Sequence, residues 1–172
     1  MQIIIVAAKS DNQVIGKNNK LVWHLPADLQ FFMQTIKGAY LITGRKSYES
    51  AQGGEIFGSE RQFIVITRNK AYSTTHGKIA YSLKKAIEIA RKDGAKRLCI
   101  LGGAAIYEQA MHIADSMILT EVHAKFEGDT FFPTIDLRKW KETSRKFYKK
   151  DAQNLYNYSF VTYQNRINLT KR

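Results

Sequence analysis

The chain has 172 residues, 44% of them hydrophobic, and a formal net charge of +12. That is one domain with apolar content enough for a core, and no apolar run approaches the roughly 20 residues of a membrane span. A single cysteine, Cys99 in an apolar run, excludes an internal disulfide and fits a reducing cytoplasm.

The opening MQIIIVAAKSD lacks a basic leader region and reads as a strand, not a signal peptide. Within it, Ile3 to Ala8 is an unbroken apolar run, the pattern of a strand buried on both faces. Residues 9–25 are polar, Asn-rich and contain Gly16, which predicts a long loop. A helix follows from about Pro26 to Ile36. Pro suits the first helical position, and Lys37-Gly38 is a stop signal. Leu25, Leu29, Met33 and Ile36 form a stripe that asks for a core, while Asp28 and Phe32 share another face. A short buried strand at 40–43 leads at once into Gly44-Arg45-Lys46-Ser47 and a short helix through Ala51. Strands are expected at 63–67 and 79–81, then a helix capped by Ser82 with Leu83, Ala86, Ile87 and Ala90 facing inward. The strand at 98–101 runs into Gly102-Gly103 and a helix bearing Ile106, Ala110, Ile113 and Ala114. After a strand at 116–122 the pattern changes to a polar turn, Glu127-Gly128-Asp129-Thr130, an apolar Phe131-Phe132-Pro133, and two alternating runs, 142–148 and 158–164. The sum is an α/β chain: a single domain over 1–165 with a central, mainly parallel eight-stranded sheet, helices on both faces and a C-terminal antiparallel hairpin. Residues 166–172 form a basic tail.

In an open sheet of this kind, ligands bind beyond the C-terminal ends of the strands. Gly44-Arg45-Lys46-Ser47 and Leu101-Gly102-Gly103 put helix starts, and so free N–H groups, beside such a cleft; Thr67 and Arg68 add a hydroxyl and a guanidinium. Each glycine pair, taken singly, is as readily a tight turn. No G-x-G-x-x-G or P-loop occurs. His24, His76, His112 and His123 have no metal-ligand spacing, so no metal is expected. Taken alone, Asp28 is an ordinary helix-start acid. Glu121 and Asp129 are expected to face solvent or hold loops. The basic run 138–150, interleaved with Trp140, Phe147 and Tyr148, suits either nucleic-acid contact or an edge strand protected by charge; its alternation favours the strand.

Together these pieces resemble the dihydrofolate reductase family over nearly the whole chain. The ordered set is A-A…V-I-G…L-V-W-H-L-P-A-D-L at 7–29, G-R-K-S-Y-E-S at 44–50, R-Q-F-I-V-I-T at 61–67, L-G-G-A-A-I-Y-E-Q at 101–109 and E-G-D-T-F-F-P at 127–133. The resemblance implies NADPH-dependent reduction of dihydrofolate to tetrahydrofolate, serving one-carbon metabolism and thymidylate synthesis. It assigns Asp28 to the pterin N3 and 2-amino group, Trp23 to an ordered water, and Thr120 to steadying the acid. Val6, Ala7, Leu29, Phe32, Ala51 and Leu101 would wall the substrate, and Arg61 would grip its glutamate α-carboxylate. For the cofactor it assigns Ala8, Ile15, Gly16 and Leu21 near the nicotinamide. It adds Gly44, Lys46, Ser47, Thr67, Leu101, Gly102, Gly103, Ala104, Ala105, Ile106 and Tyr107 as cofactor-binding, with Arg45 and Arg68 near the adenosine 2′-phosphate. The 9–25 loop would close over the site with help from Asp129. The family pattern further implies a cytoplasmic monomer with no nucleic-acid or membrane partner. Departures from the pattern are Val22 before Trp23, Ala51, the segment 52–57, and Ala105. The alternatives are a reductase of a riboflavin-pathway ribosylaminopyrimidine on the same fold, or a basic nucleic-acid-binding module built on 138–150.

Overall fold

The computed structural model describes residues 1–50 and 56–169. In chain order the strands and helices are β1 (Gln2–Ser10), β2 (Val14–Gly16), α1 (Pro26–Thr35), β3 (Tyr40–Gly44), α2 (Arg45–Glu49), β4 (Phe63–Ile66) and β5 (Lys78–Ala80). They continue with α3 (Leu83–Lys92), β6 (Arg97–Ile100), α4 (Ala104–Ala110), β7 (Ser116–Val122), β8 (Thr130–Phe131), β9 (Trp140–Tyr148), β10 (Tyr158–Asn165) and α5 (Arg166–Leu169). Eight of the strands form one sheet in the order β5-β4-β3-β6-β1-β7-β10-β9, parallel up to β7 and antiparallel beyond it. The central strands are apolar on both sides because helices cover both sides. Ile3, Ile5, Ile42 and Leu98 pack with α3 and α4, whereas Ile4, Leu41, Val65 and Cys99 pack with Ile36 and Met33 at the end of α1. Cys99 is fully buried there. Ser82 caps α3 through its hydroxyl, which accepts from the Lys85 N–H, and Gly38 ends the α1 segment at φ +70°. No described helix is long and apolar enough to cross a membrane.

Several expectations need correction, among them the helix bearing Ile106, which ends at Ala110 and leaves Ile113 exposed. The 9–25 segment is not all loop: β1 runs on to Ser10, Val14–Gly16 pairs with Thr130–Phe131, and fully buried Val14 donates its N–H to the Ser10 hydroxyl. Leu29 is 51% exposed, and no residue of α1 is buried as a whole, though the carboxyl of Asp28 is, since this helix lies across a cleft and only its ends reach the core. The short helix after β3 ends at Glu49, and Ala51 lies outside the described residues. The strand β9 does not alternate: residues 141–147 are exposed on both faces, as befits an edge strand beyond the covering helices, and its lysines blunt that edge. The tail begins as a helical turn, and its last three residues are likewise outside the description.

Candidate functional site

A cleft of about 470 Å³ opens where β1, β3, β6 and β7 end and α1 crosses them. Asp28 supplies the one carboxylate in its lining among the described residues. The acid is placed by long-range contacts. Leu25, the residue before α1, gives no side-chain cap. Instead the buried Asn154 reaches over from the β9–β10 loop, and its Oδ1 accepts the Ala27 N–H at 2.9 Å. Asn154 is itself held by the Asp151 carboxylate. From the sheet side, Ala8, Thr120 and Phe160 are register partners across β1, β7 and β10, so they form one row under the helix. The Thr120 hydroxyl hydrogen-bonds the Asp28 carboxylate and draws its pKa down, but burial dominates and pushes it up to about 6. The carboxyl therefore titrates close to neutrality, where a bound cationic or hydrogen-bond-donating edge would hold it ionised.

Around the acid lie Val6, Ala7, Ala8, Ile15, Gly16, Leu21, Trp23, Leu29, Phe32 and Leu101, all in the cleft lining as expected. Trp23 is nearly buried, and its Nε1 has no acceptor among the described residues. Tyr107 is also buried; its hydroxyl donates to the Val6 carbonyl at 2.9 Å, and burial, with Asp28 nearby, raises its pKa. The cleft continues to Ser47 and Gly103 at the starts of α2 and α4. There the backbone is crowded. The Gly44 N–H donates to the Gly102 carbonyl at 2.7 Å, and the Gly102–Gly103 peptide is cis. Gly102 has φ +101°, and a Cβ built on it would lie 2.9 Å from the Tyr107 ring.

The remaining expected site residues stand outside this lining. Ile106 is core-packed, and Ala104 and Ala105 line a separate shallow groove with Phe131 and Lys139. Arg45 pairs with Glu49 at 3.1 Å and lies over the Tyr72 ring; Lys46 and Arg68 are exposed. The Thr67 hydroxyl accepts the Asn69 N–H in the turn after β4. Arg61 Nε lies 3.4 Å from Glu60 Oε1, an ion-pair contact without hydrogen-bond geometry.

The loop over the cleft is clasped from two sides. Asn18 donates its N–H to the Asp129 carboxylate at 2.8 Å, Lys17 pairs with Glu127, and the Asn19 side chain donates to the Lys46 carbonyl at 3.0 Å. Glu121, in contrast, neither faces solvent nor holds a loop; it binds Lys9, Arg145 and the Tyr163 hydroxyl at the sheet's far side. Sequence reasoning missed Phe31, Ser50 and Ile118 in the lining, and Asn154 behind it; of the 52–57 segment, whose capping residue it left open, Ile56 and Phe57 line the cleft. Only Phe31 carried a signal, three residues past Asp28 on a helix. Among the described residues no group of His, Cys, Asp and Glu could hold a metal.

Comparison with known proteins agrees with this architecture. A family model described as dihydrofolate reductase matches residues 2–165. Dihydrofolate reductase of Neisseria meningitidis serogroup A is 38% identical over 163 residues, covering 95% of this chain and 98% of the relative. That of Bacillus subtilis is 35% identical, with 95% of each covered. A solved dihydrofolate reductase from Enterococcus faecalis, complexed with NADP(H) and RAB-propyl, superposes with TM-score 0.85 at 31% identity, over 95% of this chain and 96% of that one. A match that spans both ends of the cleft, with the same fold beneath it, means that this chain belongs to the dihydrofolate reductase family and is an enzyme of that kind.

Proposed function

We propose that the chain reduces 7,8-dihydrofolate to 5,6,7,8-tetrahydrofolate with NADPH, and that Asp28 grips and polarises the pterin. The observation that carries this is a carboxylate that stands alone in the cleft among the described residues, buried enough to have its pKa pushed up to about 6 and steadied by Thr120. A pterin presents an N3–H and a 2-amino group side by side, which two carboxylate oxygens can accept together. Val6, Ala7, Leu101, Leu29 and Phe32 are apolar neighbours suited to sandwiching flat rings.

The chain fits the dinucleotide where Gly102 and Gly103 leave out side chains beside Tyr107 and Ser47, giving backbone N–H groups room to face phosphates. To the same cofactor we assign Gly44, Lys46, Ala104, Ala105 and Ile106 near the phosphates, and Arg45, Thr67 and Arg68 as the cations and hydroxyl for its extra 2′-phosphate. That the solved neighbour holds NADP(H) supports the choice. When bound beside Ala8, Ile15, Gly16 and Leu21, the cofactor supplies the hydride for pterin C6. Asp28 cannot reach N5 while it holds N3, so a water delivers the proton. Trp23 Nε1, buried with no acceptor among the described residues, is the donor that fixes such a water beside the acid. The clasped loop keeps bulk solvent away during the step. Arg61 holds the glutamate α-carboxylate by exchanging Glu60 for it. The enzyme acts as a cytoplasmic monomer, and its positive charge serves two polyanionic ligands.

The test is to mix the protein with NADPH and dihydrofolate and follow loss of reduced-nicotinamide absorbance. Asp28→Asn should lower kcat/KM for dihydrofolate by roughly 10²–10⁴-fold at neutral pH while NADPH affinity stays put. An unchanged kcat/KM would reject the role of Asp28. Turnover of a ribosylaminopyrimidine in place of dihydrofolate would reject the substrate.

A further inference from the structure

The helix that carries Asp28 is braced at its middle by an aromatic contact that no motif signals. The Phe31 ring stacks on Phe160 with centroids 3.8 Å apart and planes 12° from parallel. That spacing leaves no layer of water between them. Phe160 is the β10 register partner of Thr120, the residue whose hydroxyl reaches Asp28. Phe31 follows Asp28 by three positions, so acid and ring lie on the same side of α1. The two contacts therefore close a short circuit: Asp28 to Thr120, Thr120 across to Phe160, Phe160 up to Phe31, and one helical turn back to Asp28. Behind Phe160 the stack is backed by Tyr148 at 5.2 Å and Tyr158 at 5.4 Å. The far end of β10 thus presses on the site through rings that cannot yield without moving an edge hairpin.

We infer that Phe160 is a positioning residue for the reaction: by stacking on Phe31 it sets the height of α1 over the sheet, and with it the distance from the Asp28 carboxylate to Thr120 and to the bound ring. Phe160 itself does not line the cleft. The inference rests on the proposed role of Asp28 as the pterin's partner. Its chemical content is geometric. A smaller side chain at 160 lets the helix settle toward β10 or lets water fill the gap. Either change moves the acid out of register with a flat ligand and opens it to solvent.

Phe160→Leu keeps an apolar side chain on a strand and is read against Phe160→Tyr, which restores the ring. Tm and circular dichroism establish that both are folded. The groups facing Asp28 are the Thr120 hydroxyl and the Tyr107 phenol, with His24 and Lys20 elsewhere in the same lining. None of them is altered by these variants. Phe160→Leu should reduce kcat/KM for dihydrofolate roughly 10-fold or more and leave the NADPH Kd unchanged. It should also move the acid limb of the kcat/KM profile to lower pH, since a wetter carboxylate ionises more readily. Phe160→Tyr should recover both readings. Phe31→Leu should produce the same losses, and the double variant Phe31→Leu with Phe160→Leu should be little worse than either alone.

Equal kcat/KM and an unmoved acid limb in Phe160→Leu would overturn the inference, as would simple additivity of the two losses. Asp28→Asn, run alongside, separates the failures. If it is inactive while Phe160→Leu is normal, only the positioning role falls. If Asp28→Asn itself stays active, the reading of the whole site falls with it.

Discussion

Replacing Asp28 with Asn should make the ligand-free protein more stable at neutral pH even as it removes activity. Burial raises this carboxyl to about 6, from an ordinary 3.8. A folded-state pKa above the unfolded one means that the folded chain holds more protons between those two values. Stability therefore falls as pH rises through the window, and the loss is complete above about pH 7. At about 1.4 kcal/mol per pKa unit, ionising Asp28 inside the fold withdraws up to roughly 3 kcal/mol. The cleft wall is partly open to solvent, so about 1–3 kcal/mol is the working range. For a chain of this size each kcal/mol moves Tm by about 2–4 °C. Asn keeps the shape and can still accept the Thr120 hydroxyl, but carries no charge to desolvate. The measurement is the Tm of parent and variant without ligands, across acid to mildly alkaline pH. Groups other than Asp28 titrate alike in both and cancel in the difference. The variant's advantage should be smallest near pH 4 and grow by several degrees by about pH 8. A difference that is flat with pH, or that grows toward acid, would refute the assignment of the raised pKa to this carboxyl.

Other consequences are more local. Gly102→Ala should lower Tm and weaken NADPH binding together, costing about 1–3 kcal/mol of stability, because a side chain at φ +101° would meet the Tyr107 ring; a normal Tm by calorimetry would contradict it. Glu60→Ala should tighten dihydrofolate binding about 2- to 3-fold by freeing Arg61, in keeping with the small energy of a loose pair whose carboxylate is exposed; a higher KM would mean that Glu60 serves the ligand instead of competing with it. Asp129→Ala removes the acceptor of the Asn18 N–H and should slow turnover several-fold with little change in Tm, measured by steady-state kinetics and thermal melts; an unchanged kcat would detach the loop clasp from catalysis.

What could be read from the sequence was whatever is written within a few residues. The apolar run of β1, the Pro26 start and Asp28 of α1, the Ser82 cap and the Gly102-Gly103 turn each announce themselves over one or two turns of chain, and the structure has them all. The parallel character of the sheet and the antiparallel pair at its end follow from the same local signals, whereas the order of the strands across it is set by the packing of the whole chain. The misreadings have a common cause. Leu29 fits a helical stripe by spacing, yet it faces a cleft, because a periodic pattern cannot tell a core from a ligand pocket. Residues 14–16 look like loop because a three-residue strand has no period to detect; its partner, 130–131, is shorter still. Asn154 is a common loop residue in sequence, and only the fold brings it 127 positions back to cap the helix of Asp28.

The residues that surround Asp28 and the clasp over the cleft act on one quantity, the water available to that carboxylate. Each contact that shuts the loop, from Asn18 to Asp129 and from Asn19 to Lys46, makes the ionised acid costlier in the empty site. Each one also strengthens the hydrogen bonds the acid makes once a ligand edge faces it. Ligand binding and loop closure must then favour one another, because the ligand supplies the donors that closure otherwise takes away. In Asp28→Asn that coupling should vanish: the loop no longer has a charge to dehydrate, so hydrogen exchange at Asn18 and Asn19 should respond less to a pterin ligand than in the parent. If ligand protects those amides equally in both proteins, closure is driven by contacts other than the acid.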